Sequence, residues 1–293
     1  MRISLAGRSL RDEFEADENF LQLPNFPRAA KERFGIEAVE LNSPYFHSTA
    51  PSFLDQIVER AAEVGVTMTS IAVDQMGDIA CEDIAEQIKS VELNALWIEI
   101  AKSIGVQTIR LNAGGFDCPD SRQALADCIE NLRDLCQRAE SASVNVLIEN
   151  NKGLCACPDR MLEIFAGVEM PNFGFLPDFG NWPSNIDRYQ ALAKIAPHTR
   201  LVHAKSYAFD DAGEETTIDY GRCLQVLREA GYDGYLGIEY EGGDADPTAG
   251  ILKTKALIER KLGIDAPEIP TPIKGKKPVP QRLVTKGIKK GRA

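Results

Sequence analysis

One phrase recurs along this chain: an amphipathic helical stretch, a glycine, then a short β-branched run. It reads "AAKERFGIEAVELN", "VERAAEVGVTMTSIAVD", "IEIAKSIGVQTIRLN" and "VLREAGYDGYLGIEYE". Gly35, Gly65, Gly105 and Gly231 stand where the end of a helix needs a residue free to take a left-handed backbone. The runs that follow are rich in Val, Ile and Leu, as strands covered on both faces are. A chain built of such units alternates strand and helix and pairs its strands in parallel.

Eight such runs are found, near residues 2–6, 37–42, 66–73, 107–112, 144–149, 173–178, 200–205 and 235–240. Helical stretches follow them, near 25–34, 51–64, 80–104, 121–142, 158–168, 185–196, 219–230 and 248–262. Eight βα units in about 265 residues have the size and order of a (β/α)8 TIM barrel. A doubly wound open sheet competes, but it calls for a Gly-rich turn after its first strand, and "SLAGRSLRDEF" is not one. The reading is therefore an α/β protein with a catalytic barrel over 1–265. Residues 266–293 form a Pro/Lys-rich extension in which neither period continues.

Composition narrows the class. The chain has 293 residues and is 44% apolar, with no run long enough to span a bilayer. Seven cysteines, an odd number in a long chain, suit reduced thiols. Cys155 and Cys157 lack a second pair with which to complete a zinc site. The expected compartment is the cytoplasm. Net charge is −11, yet residues 273–293 hold eight Lys or Arg and no acid. Without them 25 basic residues stand against 44 acidic ones, a body that repels a phosphate backbone and argues against nucleic acid as partner.

Barrel chemistry sits at the C-terminal ends of strands. The fifth strand, "SVNVLIENN", ends in Glu149, the sixth in Asp178. The seventh carries His203 and the eighth Glu239. One acid after a strand is more often a helix cap or a salt-bridge partner. Four consecutive strands ending this way point instead to one constellation. Alternation places Leu147 with Glu149, and Leu201 with His203 and Lys205, on shared strand faces. If the two leucines fill the barrel, the acid and imidazole point inward above them. Three carboxylates held so close repel one another, and one divalent ion removes that conflict. Three oxygens and one nitrogen suit Mn²⁺, Mg²⁺, Co²⁺ or Zn²⁺.

At these residues the chain resembles the xylose isomerase-like TIM barrel superfamily, in its sugar phosphate isomerase/epimerase branch, also called AP endonuclease family 2. The phrases that carry the resemblance are "GIEAVELN", "AKSIGVQTIRLNAGG", "VLIENN", "PDFGN", "LVHAKS" and "GYDGYLGIEYEG". The resemblance implies a metal held by Glu149, Asp178, His203 and Glu239, with the two glutamates doubling as an acid/base pair. It also implies that Lys205 and Asn181 meet the substrate. Many epimerases of this kind carry His at the latter position. The superfamily also contains a tri-zinc endonuclease built on additional histidines. This chain has only His47, His198 and His203, and places Asp74 and Asn112 where further His ligands would stand.

The leading expectation is a metal-dependent isomerase or epimerase acting on a ketose or keto-sugar. One glutamate would remove the proton beside the carbonyl to give an enediolate, and the other would return it. Lys205 would steady the oxyanion. Tyr45, Phe46, His47, Trp182 and Asn112 join Asn181 as substrate-binding candidates. Three rivals stay open. A lyase or dehydratase would use the same proton abstraction, and a metal-free glycosidase would use Glu149 and Glu239. The third is a non-enzymatic binding barrel. A homo-oligomer is compatible with each of these.

Overall fold

A computed structural model describes residues 1–16, 20–243 and 246–264. The expected 266–293 extension therefore lies outside the described residues. Eight parallel strands occupy Arg2–Ala6 (β1), Ala38–Asn42 (β2), Thr67–Ala72 (β3), Thr108–Leu111 (β4), Asn145–Glu149 (β5), Phe173–Leu176 (β6), Val202–Ser206 (β7) and Tyr235–Tyr240 (β8). A one-turn helix, Arg11–Phe14 (α1), precedes the main helices. These are Phe26–Phe34 (α2), Pro51–Val64 (α3), Ile84–Ser103 (α4), Arg122–Ser141 (α5), Pro158–Val168 (α6), Arg188–Ile195 (α7), Tyr220–Glu229 (α8) and Thr248–Leu262 (α9).

Local chemistry sets these boundaries. Asp83, Ser121, Asp187 and Asp219 cap α4, α5, α7 and α8 through side-chain oxygens that accept the first free backbone N–H groups. Pro51 and Pro158 open α3 and α6, where a missing N–H costs nothing. Gly35 and Gly65 close α2 and α3 at φ of +62° and +66°, as their place in the repeated phrase predicts.

The strands pair in the order β6-β5-β4-β3-β2-β1-β8-β7. Parallel bridges Phe175↔Thr199 and Asp178↔His203 join the two outer members and close the barrel. Backbone bonds from Arg200 N to Phe175 O and from His203 N to Pro177 O complete that seam. The chain is a TIM barrel, as its eight βα units predict.

The main core lies between the sheet and the helices. Val39, Ile71, Ile109, Val146, Phe175, Val202 and Ile238 face outward onto buried residues such as Ile57, Leu132, Ile164, Leu224 and Leu257. The interior of the barrel is different. Alternate strand positions carry Ser4, Glu40, Ser70, Arg110, Glu149 and His203, all buried. Leu147 is fully buried there, as expected. Leu201, expected beside it, precedes β7 and is partly exposed, because that strand begins one residue later at Val202. Among the described residues, no helix is long and apolar enough to cross a membrane.

Candidate active site

The last residue of β5 is Glu149, and Asp178 follows β6 by two positions. The bridge Asp178↔His203 sets the aspartate beside the imidazole across the seam. On the other side, β7 and β8 pair His203 with Gly237 and Lys205 with Glu239. Gly237 leaves room here: a Cβ on it would lie 3.4 Å from the His203 ring. The sheet register thus brings one ligand-type atom from each of Glu149, Asp178, His203 and Glu239 within 4.8 Å of one another, all buried. His203 Nδ1 lies 2.9 Å from Glu149 Oε1, 3.5 Å from Glu239 Oε2 and 3.9 Å from Asp178 Oδ2.

Each member is tied down. The Asn150 amide clamps the Asp178 backbone, donating to its carbonyl at 3.0 Å and accepting from its N–H at 2.6 Å. Asp178 Oδ1 accepts from the N–H groups of Gly180 and Asn181, while Oδ2 is buried with no hydrogen-bond donor. Asn181 Nδ2 donates to Glu149 Oε1 at 3.2 Å, and Arg110 Nε lies 3.4 Å from Glu149 Oε2. Arg110 is itself held by Asp74 at 2.6 Å. Lys205 Nζ sits 2.6 Å from Glu239, 3.1 Å from Glu241 and 3.5 Å from Asp178.

These charges answer one another. Burial works against a charge on His203, but Glu40, Glu239 and Glu149 overcome it, and its pKa lies well above the usual imidazole value. Burial, aided by Glu239 and Glu149 and opposed by Lys205, pushes the Asp178 carboxyl well above its usual range. Glu239 is also buried, yet His203 and Lys205 hold it below the carboxylate range. Burial disfavours charge on Lys205 and Arg110 as well, but their carboxylate partners raise both.

The donor set fits a divalent cation. In the buried cluster four acids, Glu40, Glu149, Asp178 and Glu239, face two permanent cations, Arg110 and Lys205. The raised pKa values of His203 and Asp178 favour a proton on each, which lessens the excess of negative charge. A divalent ion at the four ligand atoms would replace those two protons and give Asp178 Oδ2, which has only the longer ion pairs to Lys205 and His203, a direct bond. Two buried cations thus already share the neutralising task that the sequence reading assigns to a metal alone.

Above the cluster opens a cavity of about 340 Å³. Of the four ligand-type residues only Glu149 and Glu239 line it; Asp178 and His203 lie beneath. Lys205, Asn181 and Tyr45 line it as well. Tyr45 is stacked on Phe14, and burial pushes its hydroxyl up to about 12. The other expected substrate contacts stand elsewhere. Phe46 packs edge-on against Trp97, and His47 against Phe20. Trp182 is buried in the apolar core and Asn112 follows β4; neither lines the cavity. A larger depression of about 690 Å³ involves Asp78, Cys81 and Cys118, but it contains none of the cluster. Cys155 is buried and Cys157 half-buried; both thiols are free.

Sequence reasoning missed Glu40, Asp74, Arg110, Glu241 and Arg8. The signal was present for two of them. Glu40 and Arg110 interrupt the apolar runs "AVELN" and "TIRLN", where a charge inside a strand covered on both faces calls for a buried partner.

Comparison with known proteins agrees with this fold. Over 223 residues the chain is 24% identical to L-ribulose-5-phosphate 3-epimerase UlaE of Escherichia coli K12, covering 70% of this chain and 76% of that protein. The structure of L-ribulose 3-epimerase superposes with a TM-score of 0.74 at 18% identity, over 92% of this chain and 99% of that one. D-psicose 3-epimerase, solved in the presence of D-fructose, gives 0.73 at 14% identity, over 90% and 100%. All three of these proteins are sugar 3-epimerases. Residues 27–261 match the family model of the xylose isomerase-like TIM barrel, and the chain belongs to that family.

Proposed function

We propose that this protein is a divalent-metal-dependent epimerase of a ketose, inverting a carbon next to the carbonyl. One observation carries the reading: of four clustered ligand-type residues, only the two glutamates reach the cavity. Asp178 and His203 serve the cation from below, while Glu149 and Glu239 also face the substrate. A bound divalent ion would polarise the carbonyl and the neighbouring hydroxyl, acidifying the C–H bond between them.

The chain's own residues supply the remainder. One glutamate removes that proton and the other delivers one to the opposite face. Arg110 and Asn181 fix the Glu149 carboxylate, and Lys205 fixes Glu239, so both are aimed before substrate arrives. Lys205 stays cationic beside its acids and steadies negative charge that develops on the substrate oxygen. The cavity volume lies at the small end of ligand sites and suits a monosaccharide.

Charge pairing supports an uncharged sugar. Among the described cations that line the cavity, Arg8, Arg110 and Lys205 already pair with carboxylates, which leaves Lys152 for a phosphate. The test is epimerisation of free pentuloses and hexuloses against their phosphates, in D₂O with added Mn²⁺. Inverted product carrying one solvent deuterium is expected, with kcat/KM higher for the free sugars. An unsaturated product would move the assignment to a lyase. Full activity after exhaustive chelation would sink the metal-dependent reading.

A further inference from the structure

The ring nitrogen of His203 that faces away from the cluster meets a residue with no place yet in the proposed chemistry. Nε2 lies 2.8 Å from Glu40 Oε1, while Nδ1 faces the three clustered acids. A carboxylate oxygen accepts, so Nε2 has to carry the hydrogen. The second oxygen of Glu40 accepts from Ser70 Oγ at 2.6 Å. Both partners follow from the sheet. The register of β2 against β3 shifts at Val39/Glu40, so that Glu40 stands opposite Ser70 and Thr69 is skipped. Such a bulge re-aims side chains in a strand. Glu40 is 3% exposed and does not line the cavity, so the substrate does not reach it.

From this geometry we infer that Glu40 is a positioning residue for the cation site. It locks His203 in the tautomer with hydrogen on Nε2, which leaves the Nδ1 lone pair as the ligand. A negative acceptor on the remote N–H also makes the ligating nitrogen more basic. Ser70 holds the Glu40 carboxylate in the orientation this needs. The inference rests on the metal reading of the cluster but makes a separate claim: the site's affinity depends on a residue that touches neither ion nor substrate.

The experiment titrates metal-free wild type, Glu40→Gln, Glu40→Leu and Ser70→Ala with Co²⁺, reading the visible absorption of the bound ion. Outer partners of ligating histidines are typically worth 10–100-fold in affinity. Glu40→Gln, which keeps a weaker acceptor, should lose about 10-fold, and Glu40→Leu, which keeps none, about 100-fold. Ser70→Ala leaves the core volume nearly intact and should lose a few-fold, which keeps the test alive if Glu40→Leu does not fold. In the Zn²⁺-loaded protein, nitrogen NMR should show the His203 Nε2–H exchanging faster with solvent in Glu40→Gln than in wild type. Folded Glu40→Gln that binds Co²⁺ as tightly as wild type, with an unchanged Nε2–H, overturns the inference and leaves the metal site standing. Absence of Co²⁺ binding by wild type overturns both.

Discussion

Two layers of this barrel obey opposite rules. Outside the sheet, β-branched and aromatic residues pack against helices with hardly a polar atom between them. Inside, within one strand's thickness, acids and bases are equally buried and are held by one another. The outer layer is held by area removed from water, which is non-directional and tolerates exchange of similar shapes. The inner layer is held by paired charges, where each group is affordable only while its partners stay in place. Stability and function are thereby separated along the same strands, at alternating residues.

The largest expected effect breaks function in the inner layer without touching the fold. Glu149→Gln and Glu239→Gln should lose ~10²–10⁴ in rate at saturating Mn²⁺, since general acid–base help of this kind is worth that much. One of the two should still exchange the substrate C–H with solvent while forming no product, because removal and return belong to different residues. Turnover near wild type in both would refute the two-glutamate mechanism.

The matching test of the outer layer is Leu132→Ala on α5, a fully buried position far from the cavity. It should cost about 2–5 kcal/mol in chemical denaturation and leave kcat per folded molecule unchanged. A fall in kcat with intact fold would show that the layers are coupled.

Asp178→Asn sharpens the contrast. The raised carboxyl means the folded state holds a proton that the unfolded state releases. Stability therefore falls as pH rises from the unfolded pKa toward the folded one, and the ionised form costs stability at neutral pH. Asparagine keeps the oxygen that accepts from Gly180 and Asn181. Metal-free Asp178→Asn should melt at or above wild type at neutral pH while high-affinity metal uptake is lost. A lower melting temperature would contradict the raised pKa.

A gentler effect reads the proton balance directly. The raised pKa values of His203 and Asp178 favour a proton on each in the metal-free protein, and both protons would have to leave for the pair to ligate a cation. Metal affinity should therefore rise with pH, and calorimetry in buffers of different ionisation heat should show protons released on binding. Binding independent of buffer and pH would refute it. The smallest effect is local: Gly35→Ala, at φ +62° with nothing within 4 Å, should cost about 1 kcal/mol from backbone strain alone.

The repeated helix–glycine–strand phrase was enough to determine eight βα units, and with them a parallel barrel. A helix stop and an apolar strand are local properties, set by residues a few positions apart. Strand ends in a barrel share one rim, so Glu149, Asp178, His203 and Glu239 could be grouped from order alone. What the chain's order could not decide was which inward side chains meet across the strands. Glu40 meets His203 across 163 residues, and Arg110 meets Asp74 and Glu149 from different strands. Their pairing depends on the register at each strand boundary and on the shift between β2 and β3 that skips Thr69, and the balance of protons depends on how deeply each group is buried. Loop aromatics such as Phe46 and Trp182 illustrate the same limit: the loop places them near the mouth, but the nearest apolar surface decides where the ring goes, Trp97 of α4 for Phe46 and the apolar core for Trp182.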